Sequence, residues 1–174
     1  MKKLDNQLTI QLNIKNNLGQ NIVGILERKS LNDTFGAKLG IICHGFSEEM
    51  ERVMDDVEDI DTVVRYLESE FGYKLYAAIG HSKGSNSILL YACYVNRNIP
   101  HIINLSPRYY LPAILSKMEN SKVDLLMKQG YAYWEDKSGV GIKITLEELY
   151  FDNSFVSNMP ETTTVLTCHG IADE

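Results

Sequence analysis

Ser82 lies in the run Gly80-His81-Ser82-Lys83-Gly84, a hydroxyl held between two glycines. Before it, Lys74-Leu75-Tyr76-Ala77-Ala78-Ile79 reads as a buried strand. After it, the run from Ser85 through Ile88-Leu89-Leu90 to Val95 reads as a helix. A strand that turns into a helix within so few residues is strained, and glycines are needed where side chains would clash. The strain lifts the serine hydroxyl clear of the sheet, and the helix N-terminus behind it favours developing negative charge. That is a setting for nucleophilic attack by Ser82. The plainer reading, a small polar residue at an ordinary helix start, accounts for neither the glycines nor the preceding strand.

Two more runs carry the argument outward. Ile41-Ile42-Cys43-His44-Gly45-Phe46 is an apolar strand ending in His-Gly-Phe, and Val165-Leu166-Thr167-Cys168-His169-Gly170-Ile171-Ala172-Asp173 is a strand followed by an H-G-x-x-D turn. Together and in this order, the three motifs resemble the α/β-hydrolase superfamily, in the branch of cinnamoyl-esterase-like enzymes and serine-aminopeptidase-type domains. The resemblance covers nearly everything from about Leu8 to Glu174. It implies that Ser82 is the nucleophile and Gly80 and Gly84 are the elbow glycines. It also implies an oxyanion hole from the backbone N–H groups of Phe46 and Lys83, with Asp173 as the acid of the triad. Phe46 can serve as a core aromatic at the same time, since only its N–H is recruited. The Lys83 side chain is expected at the surface or paired with a carboxylate.

The sequence departs from that pattern twice. In this fold the catalytic histidine follows the acid, yet the sequence ends one residue after Asp173. None of the four histidines fits the role of base: His81 is inside the elbow, His44 and His169 belong to the His-Gly turns, and His101 begins a strand well below the catalytic edge. Secondly, Gly45 and Gly80 are only 35 positions apart, where the family places a helix, a strand and a second helix. One helix fills the interval, so a helix and a central strand are expected to be missing.

Composition sets the class. The 174 residues are 44% hydrophobic and 23% charged, with a net charge of −6, an ordinary globular balance. The negative charge argues against nucleic acid or anionic membrane as a partner. No 18-residue apolar run is present to cross a membrane, and the N-terminus lacks the apolar core of a signal peptide. Three cysteines without framework spacing fit a reducing cytoplasm. Cys43-His44 and Cys168-His169 suggest zinc at first sight, but the family sheet order puts their strands three spacings apart, about 14 Å, too far to share an ion. No metal and no cofactor is expected. The run Asp55-Asp56-Val57-Glu58-Asp59-Ile60-Asp61 lacks the glycine and ligand spacing of a calcium loop and reads as a solvated helix face.

The elements that must position these groups can be read from periodicity. Leu8–Ile14 and Ile22–Glu27 form an antiparallel hairpin, Leu39–Cys43 a buried parallel strand, and residues 47–71 a helix with Val53, Val57, Ile60, Val63, Val64 and Leu67 on one stripe. Ile102–Leu105 is a further strand. Residues 107–160 break the strand–helix rhythm with short helices and a small hairpin, matching the family's lid. Aromatic residues gather there, with Tyr131 and Trp134 as candidates for substrate contact. The expected architecture is one incomplete α/β-hydrolase domain over 1–174, mostly parallel, with one sheet face uncovered and self-association through that face. The expected activity is hydrolysis of a small acyl or aryl ester through a Ser82 acyl-enzyme, impaired by the absent histidine. A non-catalytic fragment, a ligand-binding pseudoenzyme and an acyltransferase remain open as alternatives.

Overall fold

A computed structural model describes residues 8–28, 36–44, 53–96, 98–107, 115, 118–135, 141–146 and 153–170. The chain opens with an antiparallel hairpin of β1 (Thr9–Lys15) and β2 (Asn21–Glu27). In β1 the alternation places Ile10, Leu12 and Ile14 inside. Asn16 makes the turn: its Oδ1 accepts from the Leu18 and Gln20 amides at 3.0 and 2.9 Å, while Gly19 takes φ +78°. The same side chain donates to Asp59 Oδ1 at 3.0 Å, tying the hairpin tip to the first helix.

That helix, α1 (Val53–Phe71), buries Val57, Ile60, Val64 and Leu67 and ends at Gly72, whose φ of +70° suits only glycine well. The acidic run is not simply a solvated face. Asp56 turns toward α2 (Lys83–Tyr94), and Asp61 accepts from Arg65 Nε at 2.6 Å and from Tyr91 Oη at 3.3 Å. The reason is tertiary: α1 packs along α2, so one flank of the acidic run faces protein.

The central sheet contains β3 (Lys38–Cys43), β4 (Lys74–His81), β5 (His101–Leu105) and β8 (Thr164–Cys168), all parallel and in that spatial order. Cys43 and Cys168 therefore sit on its opposite edge strands, three spacings apart as expected. Both α1 and α2 lie on one side, where Leu39, Leu75, Ala78, Ile88, Leu89 and Ile102 form the core. On the other side Ile42, Ile79, Ile103 and Leu166 are in register across all four strands. Ile42 is 77% exposed and Leu166 54%.

Between β5 and β8 the chain forms α3 (Asn120–Gln129) and a hairpin of β6 (Tyr131–Glu135) with β7 (Gly141–Thr145). Met118, Leu126, Ala132 and Ile144 make a small core of their own there. The 3-10 helix Asn153–Asn158 behaves differently from the rest of the expected lid. Its Phe155 is buried in the main core, with its ring 6.3 Å from that of Tyr94 on α2.

Candidate active site

β4 delivers Ser82 at the carboxyl edge of the parallel sheet, the edge where open α/β sheets bind ligands. Ser82 has φ +55° and ψ −119° and is followed at once by α2. A non-glycine residue in that region costs of order 1–3 kcal/mol and persists only when its surroundings enforce it. They do so through backbone contacts. The Ser82 N–H donates to the Leu105 carbonyl at 2.9 Å, and the Ser85 N–H donates to the Ser82 carbonyl at 3.1 Å. Ser85 Oγ donates to the Gly80 carbonyl at 2.7 Å.

The flanking glycines are required by space. A Cβ on Gly80 would lie 2.6 Å from the Gly84 carbonyl oxygen and the Ser85 nitrogen. A Cβ on Gly84 would lie 2.5 Å from the Cys43 carbonyl oxygen. The first turn of α2 is thus pressed against the end of β3, which brings the Cys43-His44 segment beside the serine. Phe46, two residues further, falls outside the described residues, as does Asp173. The strand that precedes Asp173 in sequence ends at the same sheet edge: Cys168 is in register with Leu105 and His81, and its carbonyl accepts from the Ser106 N–H at 2.8 Å.

Lys83 is the first residue of α2, so its amide belongs to the turn from which helix N–H groups point outward. Its side chain is paired with a carboxylate, with Nζ 3.4 Å from Asp56 Oδ2 and both side chains largely enclosed. Ser87 Oγ donates to the same Asp56 oxygen at 3.1 Å. Burial raises the Asp56 carboxyl above its usual range, opposed by Lys83 and the Ser87 hydrogen bond. Burial, helped by Asp56, pushes the Cys43 thiol up to about 11. This Lys83–Asp56–Ser87 cluster is not legible from the sequence, because its members join only when α1 packs on α2.

His81 is in the elbow and His44 follows Cys43 beside it, their ring centroids 5.3 Å apart. His101 starts β5 at the far end of the sheet and holds Tyr76 Oη at 3.1 Å. The Ser82 hydroxyl makes no hydrogen bond to any described residue. Tyr131 is part-exposed, in edge-to-face contact with Tyr133 and under Lys143 Nζ, 5.0 Å from its ring centroid. Trp134 pairs with Ile142 in the hairpin, its side chain outside the described residues. Among the described residues no group of three His, Cys, Asp or Glu is arranged to hold a metal, and no helix is long and apolar enough to cross a membrane.

The fold recurs in solved structures. The chain is similar to the esterase domain of a Rhodothermus marinus protein, at 17% identity and a TM-score of 0.58, covering 94% of this chain and 76% of that one. The fold is that of the α/β-hydrolases. Est1E from Butyrivibrio proteoclasticus matches at 22% identity and a TM-score of 0.63, covering 92% of this chain and 77% of its own. The Pyrococcus furiosus esterase Pf2001 matches at 12% identity and a TM-score of 0.54, covering 94% and 84%. No family model matches the sequence, and no curated protein matches it. At these identities the likeness concerns the fold.

Proposed function

We propose that the chain is a serine hydrolase that cleaves small acyl or aryl esters slowly through a Ser82 acyl-enzyme. The observation that carries this reading is the geometry of Ser82, held at φ +55° between a strand end and a helix start by glycines whose Cβ atoms would collide with backbone. The resemblance of the fold to three structures named as esterases supports the substrate class. Ser82 Oγ adds to the ester carbonyl carbon and the alcohol leaves with a proton; water then releases the acid and restores the hydroxyl. The N–H groups of Phe46 and Lys83 hold the oxyanion, and Asp173 is the triad acid of this reading.

Slow turnover is part of the proposal. Ser82 Oγ has no hydrogen-bonded base among the described residues. Triads that lose a member keep about 10³–10⁴-fold catalysis over water from the oxyanion hole and binding. The same observation favours a second reading, a ligand-binding protein that keeps the elbow without the chemistry. A reducing, cytoplasmic setting belongs to both readings, supported by three free cysteines.

Fluorophosphonate labelling with mass-spectrometric mapping tests the proposal. Labelling at Ser82 that disappears in Ser82→Ala, with measurable ester turnover far below about 10 s⁻¹, is expected. Labelling of another serine that survives Ser82→Ala overturns the nucleophile assignment. Labelling with no turnover at all leaves the ligand-binding reading. Turnover near 10 s⁻¹ overturns the impairment and directs attention to His44 as an unconventional base.

A further inference from the structure

The N-terminal hairpin and the central sheet face each other but do not join. β2 pairs only with β1, and β3 pairs only with β4 among the described residues. Two hydrogen bonds set which groups of β2 are left over. The Arg28 N–H donates to the Leu8 carbonyl at 2.7 Å, and the Asn16 N–H donates to the Gln20 carbonyl at 3.0 Å. The antiparallel alternation then turns Ile22, Gly24 and Leu26 toward β1, while the N–H and C=O of Val23 and Ile25 point away from it. They point into the gap, and no described residue bonds to them.

The gap is a cavity of about 920 Å³ with β2 and β3 as walls and Ile60, Val63 and Leu67 of α1 as its floor. Its walls are seven and six residues long, so an extended segment of about six residues would run their length. Two facing ladder edges with an apolar floor between them make a complete setting for one extended chain. A helix would leave both edges unbonded, and a small apolar ligand could not bond them.

We propose that this gap is a strand-insertion site that binds an extended segment of a partner polypeptide. The segment is about six residues long. It carries apolar side chains at alternate positions, those that face α1, and a basic residue at one end. The charge requirement comes from Asp56 and Asp59, near the start of α1, both of which line the gap. Asp56 is paired with Lys83, whereas Asp59 bonds only the Asn16 amide among the described residues. Backbone bonding to both walls gives affinity, and the alternating floor contacts give selectivity. Ser82 does not line the gap, although one end of it reaches Cys43, His44 and Gly84 beside the elbow, and the proposal does not rest on the proposed hydrolase activity.

Amide hydrogen exchange on the whole chain tests this, with the peptide acetyl-Lys-Val-Thr-Val-Thr-Val-Lys-amide as probe. At saturation, exchange at Val23 and Ile25 and along β3 is expected to slow at least tenfold together, with β8 unchanged. Ile25→Pro removes an N–H that points into the gap and leaves the β1 ladder intact. Gly24→Phe places a ring in the gap, where a Cβ at Gly24 meets nothing within 4 Å. Each variant is expected to weaken peptide binding at least tenfold while β1 amide protection stays unchanged. Protection confined to the open β8 edge, protection of β2 without β3, or none at millimolar peptide overturns the proposal. So does protection of both walls without peptide that is lost on dilution, since a second copy is then the occupant.

Discussion

Gly84→Ala probes the elbow with a single methyl group. The new Cβ would lie 2.5 Å from the Cys43 carbonyl oxygen and 3.0 Å from its carbon. Both are backbone atoms at the end of β3, so no side chain can rotate away, and α2 must move off the sheet. Overpacking of this kind costs about 1–3 kcal/mol when neighbours can shift. With strand backbone as the obstacle, about 3 kcal/mol is expected. Taking a urea m-value of about 2 kcal/mol/M, the unfolding midpoint should fall by roughly 1.5 M. Gly40→Ala is the internal control: its Cβ meets nothing within 4 Å, and removing glycine from a strand should be neutral or stabilise by up to about 1 kcal/mol. Urea unfolding of the two variants beside the parent, followed by tyrosine and tryptophan fluorescence, measures both. Fluorophosphonate labelling of Ser82 should also slow in Gly84→Ala, because the Lys83 amide moves with the helix start. Equal midpoints for Gly84→Ala and Gly40→Ala would refute the tight clamp between α2 and β3, and with it the account of why Ser82 is strained.

Other outcomes follow from the same structure. Cys43 keeps its proton up to about 11 in the folded chain against 9.0 for a free thiol, so its stability contribution is full below pH 9 and is lost between pH 9 and 11. At about 1.4 kcal/mol per unit this is about 3 kcal/mol; urea midpoints at pH 8 and 10.5 should diverge, less so in Cys43→Ala, and equal slopes would contradict it. Tyr91, raised to about 12 mainly by burial, extends the loss to higher pH. Lys83→Met strands the Asp56 carboxylate beside α2; about 1–3 kcal/mol is expected, below the 3–5 of a fully buried pair because both groups keep some solvent contact. Adding Asp56→Asn should restore part of it, and a double variant no better than the single one would count against the pairing. Finally, we propose self-association through the Ile42–Ile79–Ile103–Leu166 row, since soluble monomers seldom expose an apolar sheet face; sedimentation should show concentration-dependent mass reduced by Leu166→Lys, and a stable monomer that binds no hydrophobic dye would overturn it.

Much of this was readable before the coordinates because it is local. The glycines around Ser82, the apolar strand before it and the helix after it form one short stretch, and the turn is written in steric terms within those residues. Alternation in Thr9–Lys15 and the stripe from Val57 to Leu67 likewise need only neighbours along the chain. What was misread depended on packing between distant segments. Asp56 looks solvated by composition and becomes a partner of Lys83 only when α1 meets α2. Phe155 looks like part of a lid and instead fills the core beside Tyr94. The gap beside β2 was legible only in part: the short interval between Gly45 and Gly80 said that a strand was missing, but periodicity cannot say where the edges stay open. Phe46 and Asp173, two of the residues named from resemblance, lie outside the described residues.

The order of the central sheet, β3-β4-β5-β8, is also the order of those strands along the chain. Each strand therefore docks on one already made, with no position held open for a later segment within this sheet. A chain emerging from a ribosome can extend such a sheet in one direction as it lengthens, with α1 and α2 closing behind β4 and β5. Ser82 is then in its strained turn, with its amide already bonded to the Leu105 carbonyl, before Cys168 is synthesised. The strained Ser82 turn is expected to form early in synthesis and strand β8 late.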